Sequence, residues 1–404
     1  MLRTGDVQIY NAAFIGLGRT DKSIPLDDLV VTLKPNSTSP TSYEVALPTS
    51  TPSNQRGRYS LHFHKNGVTN PAGAPPSIVH GSVVRDAVGW GFVNHSSHVD
   101  FQQNVAYDFV GAGFVTEAGD ELGNFIDNIA IRGTGDGSFD PIHPFVFNNT
   151  QRPQPLSDFG FRGDGFWFQG PAIRVRDNVA SGCDSAGMVW FTTGAPLVPA
   201  PNPPTNPPPE FYTDTDGYTK NKYSHFPRSW IDSVYGAGTL SSINPRHWLR
   251  PGESGNSRSV IVDLPILEMD GFEAYGNYVG FRLRFNNSGS SNAWYNDTSF
   301  DYALKIVQPS GGTSRQTQTI ENLKLWNNQQ AFRMRYADHV EWSNVTAINR
   351  LAYDSTSKPF AGHDGAEFFH TLQDHEFLDT LTIQGYPVAG RIQHGSDDER
   401  TSVR

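Results

Sequence analysis

The chain has 404 residues, of which 37% are hydrophobic and only 18% charged, with a formal net charge of −10. That acidic balance excludes nucleic acid or an anionic membrane surface as the main partner, because both need a basic stripe. A lone cysteine, Cys183, excludes an internal disulfide framework and a thiolate cluster.

The 39 Gly, 28 Pro and 12% aromatic residues describe a turn-rich β protein rather than a helical bundle. No run of 18 apolar residues is present, so no membrane insertion is expected of this chain. The opening MLRTGDVQIYNAAF has neither an apolar core nor a cleavage site, and reads as the inside of a repeat. A fragment of a larger secreted protein is therefore expected.

Taken in order, residues 7–19 give early strands, and the Ser/Thr/Pro-rich stretch 22–56 reads as an insertion before RGRYSLHFH. From there a repeat emerges. The strands GFVNH (91–95), GFVTE (113–117), GFWFQ (165–169), GMVWF (187–191), GFRLR (280–284) and AFRMR (331–335) share one plan. Gly91 to Gly113 and Gly165 to Gly187 are both 22 residues apart. A turn residue lies nine positions before the small one in four cases: Asn104, Asn178, Gly271 and Asn322.

A coil of this length, repeated, is the period of a solenoid with strands stacked in parallel. The expected fold class is thus all-β: one right-handed parallel β-helix over residues 1–404, a pectin-lyase-like solenoid with long loop insertions at 22–56 and 196–262. The second insertion opens on the proline run PLVPAPNPPTNPPP (196–209), expected to be extended.

Side chains alternate across a strand, so Phe92, Phe114, Phe166, Met188, Phe281 and Phe332 face inward, and the second and fourth positions after the small residue face outward. The sharpest outward motif is His62-Phe63-His64, two imidazoles leaving one face of one strand. Aligning Leu61 with Phe92 and Phe114 stacks His64, His95 and Glu117 in one column on successive coils. Strands about 4.8 Å apart let such neighbours share a proton or an ion.

Glu117, His64 and His95 are therefore the candidate catalytic residues. His62, His64, His95 and Glu117 are the candidate ligands of a divalent metal, calcium, zinc or nickel. Solvated polar residues on a sheet are the commoner explanation of an HxH pair alone, and the column across three coils brings a functional site level with it. Asp120 and Glu121, in TEAGDELGN, offer further carboxylates or an ordinary acidic turn. Outward Arg282, Arg284, Arg333 and Arg335 match the fork geometry of uronate carboxylates, and Trp167 is a candidate platform for a sugar ring. Trp190 has inward parity and belongs to the core.

The segment from Val7 to about Gly133 resembles the β-helix of the cell-surface hyaluronidase family. That family includes transmembrane protein 2, the cell migration-inducing hyaluronan-binding protein, a region of fibrocystin and bacterial relatives. GRYSLHFHKNG (57–67) is similar to its GRYPIHFH-x-x-G, with Ser60 in place of proline. Residues 91–128 resemble its His-bearing strand and its F-x-T-E-D-G turn, with Ala118 in place of the acid.

The resemblance implies an extracellular or cell-surface β-helix with a polysaccharide as partner, and a site at His62, His64, His95 (or Asn94) and Glu117. Three functions follow as expectations: a glycosidic-bond hydrolase or lyase, a non-catalytic glycan-binding module with a structural metal site, or a phage tailspike-like fibre.

Overall fold

The computed structural model describes residues 2, 6–27, 32–36, 39–46, 52–67, 75–136, 159–191, 195–197, 211–213, 219–221, 234–235, 245–248, 259–262, 265–284, 318–335, 340–350, 364–369, 376–393 and 401–403. The described strands wind into a parallel β-helix with three walls. One wall stacks nine strands in parallel: Leu61–Gly67, Phe92–Ser97, Ala112–Thr116, Asp164–Gln169, Ala186–Phe191, Val279–Arg284, Gln330–Arg335, Asp364–Phe369 and Val388–Gln393. The other two walls are built the same way, from strands such as Val99–Gln102 on one and Val105–Val110 on the other.

The wall register is the one the repeat implies. Leu61 pairs with Phe92, Phe92 with Phe114, Phe114 with Phe166, Phe166 with Met188, and Phe281 with Phe332. Phe92, Phe114 and Phe166 are wholly buried and stack with centroids 4.8 and 4.9 Å apart, the spacing of the backbone ladder itself. The small residue that opens each strand has a steric cause. A Cβ at Gly113 would come within 2.8 Å of the Gly165 carbonyl oxygen on the next coil.

The corner between the other two walls takes two residues in coil after coil. The first adopts left-handed backbone: Asn11, Gly81, Gln103, Asp127, Asp177, Gly271, Asn322, Asn344 and Thr380 all have φ between 52° and 73°. The second points inward, and in the middle coils it is Asn104, Asn128 and Asn178. Each of these side chains accepts from the backbone N–H of the coil before and donates to a strand carbonyl, closing a buried ladder.

The nine-residue spacing therefore mixes two columns. Asn104 and Asn178 belong to the buried ladder, whereas Gly271 and Asn322 are the left-handed residues one position earlier. Asn128→Ala strips four hydrogen bonds from a dry corner, and we expect it to cost about 2 kcal/mol in denaturant unfolding.

Within 22–56, Thr32–Asn36 and Ser39–Ala46 pair as an antiparallel hairpin. Within the second insertion, Ala195–Leu197, Pro245–Trp248 and Ser259–Val262 form a small antiparallel sheet, and the coil resumes at Glu268. Most of the proline run lies outside the described residues. No helix among the described residues is long and apolar enough to cross a membrane.

Candidate active centre

The first coils of the nine-stranded wall place the polar cluster. Phe63 is wholly buried in the lumen, so alternation sends His62 and His64 outward together, their rings 5.1 Å apart. His64 pairs with His95 across the strands, and the Glu117 amide donates to the Asn94 carbonyl, which sets Glu117 beside His95. Asn94 itself faces inward, fully buried, with its amide on the Leu122 carbonyl, so His95 is the residue in the site.

The expected column of His64, His95 and Glu117 is present. Its tightest contacts, however, include His62 from the neighbouring row. His95 Nδ1 lies 3.1 Å from Glu117 Oε2, and His62 Nε2 lies 3.5 Å from the same oxygen. Far from being solvated, the cluster is mostly enclosed, with side-chain exposures of 1% for His62, 8% for Glu117 and 18% for His95. It opens at its His64 and His95 side.

The tautomer of His62 is fixed by its neighbours. Its Nδ1 lies 2.8 Å from the Gly57 carbonyl oxygen, which can only accept, so Nδ1 carries the hydrogen. Burial, opposed in part by Glu117, lowers His62 to about 4, so it is neutral and its Nε2 lone pair faces the carboxylate. Burial, with His95 and His62 alongside, takes His64 to about 3. For His95, burial is outweighed by Glu117 and then Glu121, and the imidazole is raised above its ordinary value. Burial would raise Glu117, but His95 and then His62 hold its carboxyl well below the usual range. Glu117 is thus a standing carboxylate rather than a proton donor.

Asp120 and Glu121 are neither exposed nor part of the opening; both are buried. Glu121 accepts backbone N–H groups from Ser96, Glu117, Ala118 and Gly119 at 2.6–3.1 Å, clamping the turn that carries Glu117. Burial raises both carboxyls, and Asp120 raises Glu121 further, to about 8. The two buried carboxyls therefore titrate as a pair that holds a proton at neutral pH. Position alone did not reveal this role: an acid four residues after Glu117 looks like any acidic turn.

Residues 50–225 match the family model of the CEMIP beta-helix. That segment is similar to a CEMIP β-helix. The match begins just before the His62 strand, so all four residues of the cluster lie inside the CEMIP segment. No curated protein matches the chain at a significant level.

Other expected contacts of this β-helix need correction. Trp167 does point out of the lumen, but it is only 6% exposed, stacked on Phe159 at 5.6 Å among Val115 and Val189. It is no open platform, because Phe159 packs over it. Arg282 and Arg333 also have outward parity, yet both are buried rather than solvated. Burial, then the like charge of Arg333, lowers Arg282 to about 9, with Asp164 as the opposing carboxylate. Arg284 and Arg335 pair backbone to backbone, and their side chains lie outside the described residues. Trp190 is wholly buried, as its inward parity required.

Proposed function

We propose that this chain acts on an extracellular polysaccharide and cleaves its glycosidic bonds at the His62–His64–His95–Glu117 cluster. The observation that supports it is the convergence of three imidazoles and one charged carboxylate at one place on a long wall. The CEMIP family match adds the carbohydrate context and the extracellular setting. A solenoid wall suits a linear polymer, because stacked coils repeat the same surface along its length.

Within the cluster, Glu117 supplies fixed negative charge against the positive charge that develops at a breaking glycosidic bond. His64 stands at the open side with a neutral ring, available to accept a proton. The paired-carboxyl arrangement of common glycosidases is not offered by Asp120 and Glu121, since Glu121 is committed to the turn beneath.

The test is incubation with hyaluronan, pectin and alginate, following polymer size and the ultraviolet absorbance of unsaturated ends. Shortened chains in the wild type and intact ones with Glu117→Gln support cleavage; new absorbance marks a lyase, its absence a hydrolase. A second reading is favoured by the enclosure of His62 and Glu117: a glycan-binding module whose cluster staples the first coils together. Retention of a polysaccharide on the protein with no change in polymer size, in wild type and variant alike, would establish that reading instead.

A further inference from the structure

We propose that His62 Nε2, His95 Nδ1 and Glu117 Oε2 form a binding site for one divalent transition-metal ion, with His64 beside the site but outside the ligand set. The three ligand atoms lie within 4.8 Å of one another, with the two nitrogens 3.5 and 3.1 Å from the carboxylate oxygen. At the widest triangle those limits allow, a point equidistant from all three lies about 2.4 Å from each, a few tenths of an ångström beyond ordinary metal–nitrogen lengths.

Two further observations point to a ligand there. His62 is 1% exposed, its Nε2 has no hydrogen-bond partner, and the Gly57 carbonyl has already claimed the hydrogen on the other nitrogen. A bare lone pair thus faces a buried carboxylate oxygen, and His95 Nδ1 lies 3.1 Å from that same oxygen. The His62 lone pair and the Glu117 oxygen, held together out of water, repel each other unless a cation sits between them.

Around these three atoms the supporting shell is already built. Gly57 orients His62, and Glu121 clamps the turn under Glu117, as metal-ligand partners generally do. Two nitrogens and one oxygen suit zinc, nickel or a neighbouring transition ion, whereas calcium takes six to eight oxygens. Three protein ligands leave positions for water or a sugar oxygen, and a bound ion would polarise that oxygen. His64 has its Nδ1 buried too, with its ring 4.6 Å from His95 and edge-on, which places it to contact what the ion binds.

The experiment uses the full chain, stripped with chelator and then titrated with zinc and, separately, calcium, by calorimetry and elemental analysis. The expected result is one zinc per chain, held at least about 100-fold more tightly than calcium. His62→Ala, His95→Ala and Glu117→Gln each weaken zinc by at least about 100-fold, while His64→Ala stays within about 3-fold. Cobalt absorption of the wild-type protein needs no variant: bands of a nitrogen- and oxygen-ligated ion are expected, so a misfolded variant leaves the question answerable.

No zinc or cobalt uptake, calcium bound as tightly as zinc, or an equal loss with His64→Ala overturns the assignment. It stands on geometry and not on polysaccharide cleavage. Metal bound without cleavage keeps the site and removes the activity, whereas cleavage by protein with no metal affinity does the reverse.

Discussion

Phe114→Ala is expected to destabilise the β-helix by about 3–5 kcal/mol, at the upper end for a large-to-small core change. The ring is wholly buried between Phe92 and Phe166, tilted only 6° and 12° from them. In an ordinary core, neighbours lean into such a hole and recover part of the loss. Here they are tied to strands whose separation the parallel ladder sets, so the cavity stays open. Phe114→Leu keeps most of the buried surface and should cost clearly less. Equilibrium unfolding in denaturant checks both; equal losses would mean that the stack adds nothing beyond bulk. Because Glu117 follows three residues later on the same coil, the alanine variant should also loosen the polar cluster.

Glu121→Leu is the second large effect, and we expect a loss of about 3–5 kcal/mol from a residue that touches no lumen ring. The substitution leaves the amides of Ser96, Glu117, Ala118 and Gly119 facing a hydrocarbon side chain. Each buried N–H without an acceptor costs on the order of 1–3 kcal/mol, and the turn can relieve only some by moving. Glu121→Gln keeps the shape and one acceptor oxygen, so it should fall between wild type and leucine. A measured order in which glutamine is as damaging as leucine would show that charge, rather than the number of acceptors, holds the turn. Hydrogen exchange at residues 117–119 reads the same clamp locally.

The wall was legible because its signal is spacing plus alternation. Phe92, Phe114 and Phe166 fall on one inward column only if the coils stack in register, and that register alone brings His64 opposite His95. Two things were not legible. The first is which outward residues stay in water, because parity gives direction and not cover. Trp167 and Arg282 point away from the lumen and are nevertheless buried, Trp167 against Phe159. The second is fine contact within the cluster. Spacing favoured His64 with His95, whereas the Gly57 carbonyl turns His62 so that its free nitrogen meets Glu117. A hydrogen bond from a turn five residues upstream has no signature in sequence. The turn columns show the same limit, since Asn104 and Asn322 look alike as punctuation but occupy adjacent positions of the corner.

The two-residue corner with its left-handed entry carries a consequence for how such a protein changes. Among the described coils, that edge is never interrupted, from Asn11 through Thr380. The excursions at 22–56 and 196–262 instead leave and rejoin at the ends of the nine-stranded wall. Lengthening a surface connection costs only fractions of a kcal/mol per doubling, whereas breaking the corner would shift the facing of everything after it. Variation is thereby channelled to the two ends of the nine-stranded wall, and the corner between the other walls serves as a spine. A lineage can exchange what borders the nine-stranded wall, while the frame that holds its reactive centre is inherited unchanged.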